Sequence, residues 1–215
     1  STAAKIAVSQ LSVGGQIDPS QSVLCFGQTA GEILTLSGNT GSVRNWQFSL
    51  DGTNWSDFNP ASVSASITIQ GITQSTQYRL IDQNGVYPAD TSSVAAITFN
   101  PVAYPRASTE PADTTICFGT AASLNASIDI GTSYAWVPAI NSGGTVGSTP
   151  FSFANQVFPV ASADYVLRVL NNGCPNPLLD TFHINVLAKI IVDAGRDTSV
   201  VAVELLQFQA SSSEI

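Results

Sequence analysis

The sequence predicts an all-β protein in which one small sandwich domain is repeated in tandem. Three observations carry that prediction. First, landmarks recur in the same order. Cys25-Phe26-Gly27 returns 92 positions later as Cys117-Phe118-Gly119, and Trp46 returns 90 positions later as Trp136. Gln77-Tyr78-Arg79-Leu80, leading to Asn84-Gly85, returns as Asp164-Tyr165-Val166-Leu167, leading to Asn172-Gly173. Self-similarity at a nearly fixed period marks a repeat architecture. Second, apolar and polar residues alternate over short runs, which is the period of a half-buried strand. Third, β-branched residues and serines dominate, and no window places apolar residues at helical spacing behind a cap.

The elements follow in order. Ala4-Lys5-Ile6-Ala7-Val8 matches Ala95-Ala96-Ile97-Thr98-Phe99, so residues 1–12 read as the closing strand of a preceding copy plus a linker. Residues 13–100 form the first repeat. Ile33-Leu34-Thr35-Leu36 is a strand running into a Gly38-Asn39-Thr40-Gly41 turn. Trp46-Gln47-Phe48-Ser49-Leu50 turns its rings inward and its polar residues outward, and Asp51-Gly52 marks a tight turn, since glycine accepts positive φ. Residues 66–69, 77–81 and 94–99 are further strands. Residues 101–188 form the second repeat and close on a strand at 182–187. Residues 189–215 begin a further domain and leave it incomplete. Short strands punctuated by turns about every ten residues indicate a sandwich. The joints, around Asn100-Pro101 and Leu187-Ala188, are short and imply a fairly stiff rod of beads.

The cysteines refine the fold. In immunoglobulin-like sandwiches, an early cysteine, a tryptophan about twenty residues on and a late cysteine set the indole against an inter-sheet disulfide. Cys117, Trp136 and Cys174 stand in that order. Pairing Cys117 with Cys174 would bridge 57 positions. The chain-entropy relation gives that closure about 4 kcal/mol. In the first repeat Val86 stands where Cys174 stands in the second. Cys25 therefore reads as a buried, unpaired thiol, with Val86 filling the third place of the core. The alternative leaves Cys117 and Cys174 reduced as well.

Composition excludes several functions. Charged residues are only 10% of the chain, and 15 acids against 7 bases give a net charge of −8. Such a surface lacks the dense basic face that nucleic acid or anionic lipid requires, and no run is long and apolar enough to span a membrane. The residues also nominate no catalytic constellation. His183, the only histidine, lies on the polar face of an alternating strand. Cys25 has no electropositive surroundings to activate it. Three cysteines and one histidine make no zinc pattern. The expectation is a non-catalytic protein without a cofactor. Calcium is the one alternative. Asp51 and Asp57 sit in a hairpin better read as turn chemistry, while Asp193 and Asp197 flank a glycine and form a candidate metal pair at a domain joint. Trp55 and Tyr104 are candidate ligand-binding aromatics that could stack on sugar; packing is the competing reading.

A resemblance rests on Gly31-Glu32-Ile33-Leu34-Thr35-Leu36-Ser37-Gly38, on Trp46-Gln47-Phe48-Ser49-Leu50-Asp51-Gly52-Thr53-Asn54-Trp55 and on Gln74-Ser75-Thr76-Gln77-Tyr78-Arg79. These segments resemble the repeats of very large cell-surface adhesins of Bacteroidetes bacteria, including those of gliding motility. Val192-Asp193-Ala194-Gly195-Arg196-Asp197 resembles the opening of a polycystic-kidney-disease-type domain. The resemblance implies export by the type IX secretion system and display at the cell surface as a stalk or adhesive filament. Its partners would be neighbouring repeats, surface glycans or the secretion machinery. Asp113-Thr114-Thr115 resembles the short acceptor for O-linked sugar in these bacteria, which would place a glycan on Thr114. A filament joined by strand exchange is a further reading, because the N-terminal strand lacks a domain of its own.

Overall fold

The computed structural model describes residues 10–111, 113–140, 143–193 and 211–214. Every regular element among them is a strand. The chain divides into two compact units, Ser1–Pro105 with Leu170–Pro177, and Arg106–Val169 with Leu178–Ile215.

In the first unit, β1 (Gln16–Asp18), β3 (Glu32–Ser37) and β6 (Ser66–Ile69) form one sheet. The other sheet has the order β2 (Gln21–Phe26), β9 (Ala95–Ala103), β7 (Thr76–Gln83), β4 (Ser42–Ser49) and β5 (Ser56–Asp57), with β8 (Asp90–Thr91) also on β7. β1 runs antiparallel to β3, the chain crosses at Pro19, and β2 then runs parallel to β9. Proline has no N–H to give to a ladder, so it is a natural point for one strand to leave a sheet and join the other.

The second unit repeats this plan. β10 (Arg106–Glu110), β12 (Ala122–Ile130) and β15 (Phe151–Val157) make one sheet; β11 (Asp113–Cys117), β17 (Leu178–Leu187), β16 (Ala163–Leu170), β13 (Ser133–Val137) and β14 (Gly144–Thr145) make the other. Pro111 separates β10 from β11, and β11 runs parallel to β17. Two sheets whose first strand is shared between them are the immunoglobulin-like sandwich. β18 (Ile190–Asp193) pairs with β19 (Ser211–Glu214).

Each sandwich closes on a tryptophan. Trp46 and Trp136 are buried, and each indole N–H finds an acceptor, the Ser64 carbonyl at 2.8 Å and Asn155 Oδ1 at 3.1 Å. A buried donor left unpaired would cost more than the bond gains. Leu34 of β3 and Leu80 of β7 share the core of Trp46; Leu124 of β12 and Leu167 of β16 share that of Trp136. Leucines from both sheets thus fill the region where an immunoglobulin domain would carry its inter-sheet disulfide.

That arrangement corrects the cysteine reading. Cys117 is exposed and free, and Cys174 is bonded to Cys25. The physical reason is strand alternation. Ile116 packs against the core, so its neighbour Cys117 points away from Trp136. Val86 fills no core position either, being 97% exposed in the turn after Asn84-Gly85. The alternation expected over residues 46–50 also breaks. Ser49 is buried and Leu50 exposed, because the Ser49 hydroxyl is drawn into the Asp51 turn.

Candidate functional site

The site with the most built-in structure lies around Cys25. β2 ends in a tight turn in which Gln28 N–H donates to the Cys25 carbonyl at 3.1 Å, and Gln28 Oε1 accepts from Cys25 N–H at 3.2 Å. The turn fixes Cys25 at the end of the strand. Over it lies Leu170–Pro177, the last residue of β16 and the connection to β17, which belongs to the first unit.

Five hydrogen bonds from four side chains and one covalent bond hold this connection. Asn176 Nδ2 donates to the Val23 carbonyl at 2.6 Å and to Gln28 Oε1 at 2.8 Å. Asn100 Nδ2 donates to the Gly173 carbonyl at 2.7 Å, and Asn171 Nδ2 to the Ala103 carbonyl at 2.8 Å. Tyr104 donates its hydroxyl to the Pro177 carbonyl at 2.8 Å; burial pushes its pKa up, which keeps the donor protonated. The Cys25–Cys174 disulfide has its α-carbons 6.0 Å apart, and its ends are 4% and 5% exposed. Loops carry backbone groups that need partners once covered, and here asparagine amides serve them. Gly173 is required by the fit. Its φ is +89°, and a β-carbon there would come within 3.1 Å of a Val102 methyl.

The remaining candidates fall elsewhere. The Arg79 guanidinium lies 4.1 Å over the Trp55 ring and donates from Nε to Gln47 Oε1 at 2.8 Å, while Gln47 Nε2 reaches Asp57 Oδ1 at 2.7 Å. One face of the indole is therefore used in packing. Tyr104 is committed to Pro177. Asp51 accepts from the N–H groups of Asn54 and Thr53 and from Asn54 Nδ2, the turn network that holds its carboxyl well below the usual carboxylate range. Asp51 thus serves its own turn.

His183 stands exposed on β17 beside Asp164 of β16, and Asp113 faces it from β11. The hydrogen bond to Asp164 raises its pKa, with both carboxylates adding charge attraction. Thr114 is half-buried on β11. Asp193 lies on β18 opposite Ser211, while Asp197, with the strand expected at 4–8, lies outside the described residues. Among the described residues, no three of His, Cys, Asp and Glu cluster as a metal site.

The sequence reading missed the partnership of Cys25 with Cys174. A signal was present. Leu24-Cys25 and Ile116-Cys117 share one alternation, which turns both sulfurs off the core and away from either tryptophan.

Comparison with known proteins gives the following. A family model described as a domain of unknown function (DUF8696) matches residues 13–101. No curated protein matches the chain. Among solved structures, the chain is similar to the N-terminal four Ig domains of Dscam1 isoform 7.44, at 15% identity and a TM-score of 0.31, covering 85% of this chain and 47% of that one. It is similar to the fibronectin(III)-like modules of Clostridium thermocellum CbhA, at 12% identity and 0.31, covering 80% and 93%. It is also similar to the teleost fish polymeric Ig receptor ectodomain, at 10% identity and 0.28, covering 81% and 96%. The chain spans about half of that Dscam1 structure, 47% of its length. These are likenesses of fold alone. No helix among the described residues is long and apolar enough to cross a membrane.

Proposed function

We propose that this chain is a non-catalytic, tension-bearing repeat segment of a secreted bacterial cell-surface adhesin or filament, of the kind exported by the type IX secretion system and used in adhesion or gliding. The observation that carries the reading is the Cys25–Cys174 bond, whose ends are 149 positions apart. It places β3 to β16 inside one covalent loop. Pulling on the chain from outside the bond cannot lengthen anything inside it. A stalk gains from such a lock, and a disulfide of this kind persists in an oxidising, extracellular setting. The sandwich fold is consistent with this role.

Glycan binding by the segment itself has less support. Trp55 is stacked under Arg79, and the Tyr104 hydroxyl is already donated. The proposed partners are therefore neighbouring repeats first, with surface glycans and the secretion machinery bound elsewhere along the polypeptide.

Single-molecule pulling with and without reductant tests the role. The oxidised chain hides the length between Cys25 and Cys174, roughly 490–540 Å at about 3.3–3.6 Å per residue, and reduction releases it. Equal contour lengths in the two conditions would remove the mechanical argument.

A further inference from the structure

Cys117 is left without a role by the fold, and its surroundings repeat those of Cys25. Each cysteine lies at the end of the strand that pairs in parallel with the last strand of its sandwich, Cys117 as its final residue and Cys25 one before it. In register Cys25 faces Asn100 of β9, and Cys117 faces Leu187 of β17. Each is followed by Phe-Gly, with φ of +76° at Gly27 and +78° at Gly119. In each, the N–H three residues on donates to the cysteine carbonyl at 3.1 Å, from Gln28 and from Thr120. One local structure therefore presents both sulfurs from the same strand end.

The two ends differ in their cover. Cys25 is bonded and roofed by Leu170–Pro177. Cys117 is free, and Phe118 and Leu187 beside it are exposed, with the Lys189 ammonium 5.8 Å from the Phe118 ring centre. An apolar strand end bearing a thiol is what the Cys25 site would be without its loop.

We propose that Cys117 is a second docking point for a cysteine-bearing loop of the Leu170–Pro177 type, donated by another sandwich domain and closed by an inter-domain disulfide. The anchoring chemistry transfers in part. Asn176 binds the Val23 carbonyl, a backbone group whose counterpart is that of Thr115, 92 positions on. Gln28 is replaced by Thr120, whose hydroxyl donates to the Cys117 carbonyl at 2.8 Å. The bond forms by exchange. The Cys117 thiolate attacks a loop sulfur held as a mixed disulfide with a small thiol such as glutathione. A Cys117–loop S–S bond replaces the loop–glutathione bond, and glutathione leaves as a thiolate that takes up the proton Cys117 lost, with no net oxidation. The inference rests on the Cys25 site and not on the proposed role of the segment.

The test offers the full oxidised chain the peptide Leu-Asn-Asn-Gly-Cys-Pro-Asn-Pro as its glutathione mixed disulfide, beside a scrambled peptide. Mass spectrometry then counts peptide against glutathione on Cys117. The native-order peptide is expected to exceed the scrambled one by about fivefold, the effect of one net hydrogen bond. The peptide carrying Asn176→Ala should lose most of that preference, as should the chain carrying Phe118→Ser. Equal yields from the native, Asn176→Ala and scrambled peptides would overturn the proposal.

Discussion

Cys25 and Cys117 stand at matching strand ends of two sandwiches with the same strand order, yet one is bonded and covered while the other is bare. The cores give no reason for the difference. Leu34, Trp46 and Leu80 in the first unit do what Leu124, Trp136 and Leu167 do in the second. The difference lies in what covers each strand end. The loop after β7 is held to Gln10 and Ser12 through Asn84 and leaves Val86 in solvent, whereas Leu170–Pro177 is held over Cys25 by five asparagine and tyrosine hydrogen bonds and a disulfide. Repetition thus sets each domain's interior, and a few loop residues decide what is joined to what.

The largest test of that contrast is removal of the bond. Cys174→Ser should cost about 2–5 kcal/mol of stability, the usual toll of losing a native disulfide. Cys117→Ser, at an exposed free thiol, should stay within about 0.5 kcal/mol. Denaturant titration of both variants reads the difference directly. Equal losses would erase the distinction between the two strand ends. The cores should instead respond alike, with Trp46→Ala and Trp136→Ala each costing about 3–5 kcal/mol in its own unit.

The two loops give a finer comparison. Gly173→Ala combines positive φ with a close approach to Val102, and should cost about 1–3 kcal/mol. Gly85→Ala shares the positive φ but meets nothing within 4 Å, and should cost about 1 kcal/mol. A larger loss at Gly85 would mean that the Asn84 bonds to Gln10 and Ser12 hold this loop as firmly as the disulfide holds the other.

The smallest expected effect is electrostatic. His183 has its pKa raised above the ordinary 6.5, first by the hydrogen bond that its ring donates to the Asp164 carboxylate. A raised folded pKa means that its contribution is fully present below the unfolded value and is lost as pH rises through the folded one. An NMR titration should therefore find the His183 midpoint above 6.5, and Asp164→Asn should bring it down. Salt should weaken the effect, since the pair is exposed.

Much of the fold was legible because strand period and turn chemistry are local. The alternation at 66–69 is β6 as it stands, and the Tyr78 and Tyr165 runs fall in β7 and β16. Ser49 escaped because its burial depends on capping the Asp51 turn, a contact that hydrophobic period does not encode. The cysteine pairing escaped for a different reason. Order along the chain suggested Cys117 with Cys174, but a disulfide depends on which strand ends meet which loops. Leu170–Pro177 is far in sequence from β2 and carries no apolar signal of its own; its asparagines bind backbone carbonyls that any sequence would offer. The roles of Trp55 and Tyr104 were equally hidden, because Arg79 and Pro177 are their partners only in the folded chain.

The central claim is the identity of the bonded pair, and peptide mapping of the unreduced protein tests it most directly. After alkylation of free thiols and proteolysis, the account predicts one cross-linked species joining the Cys25 and Cys174 peptides, with the alkyl label on Cys117 alone. A Cys117–Cys174 cross-link, or label on all three cysteines, would contradict it.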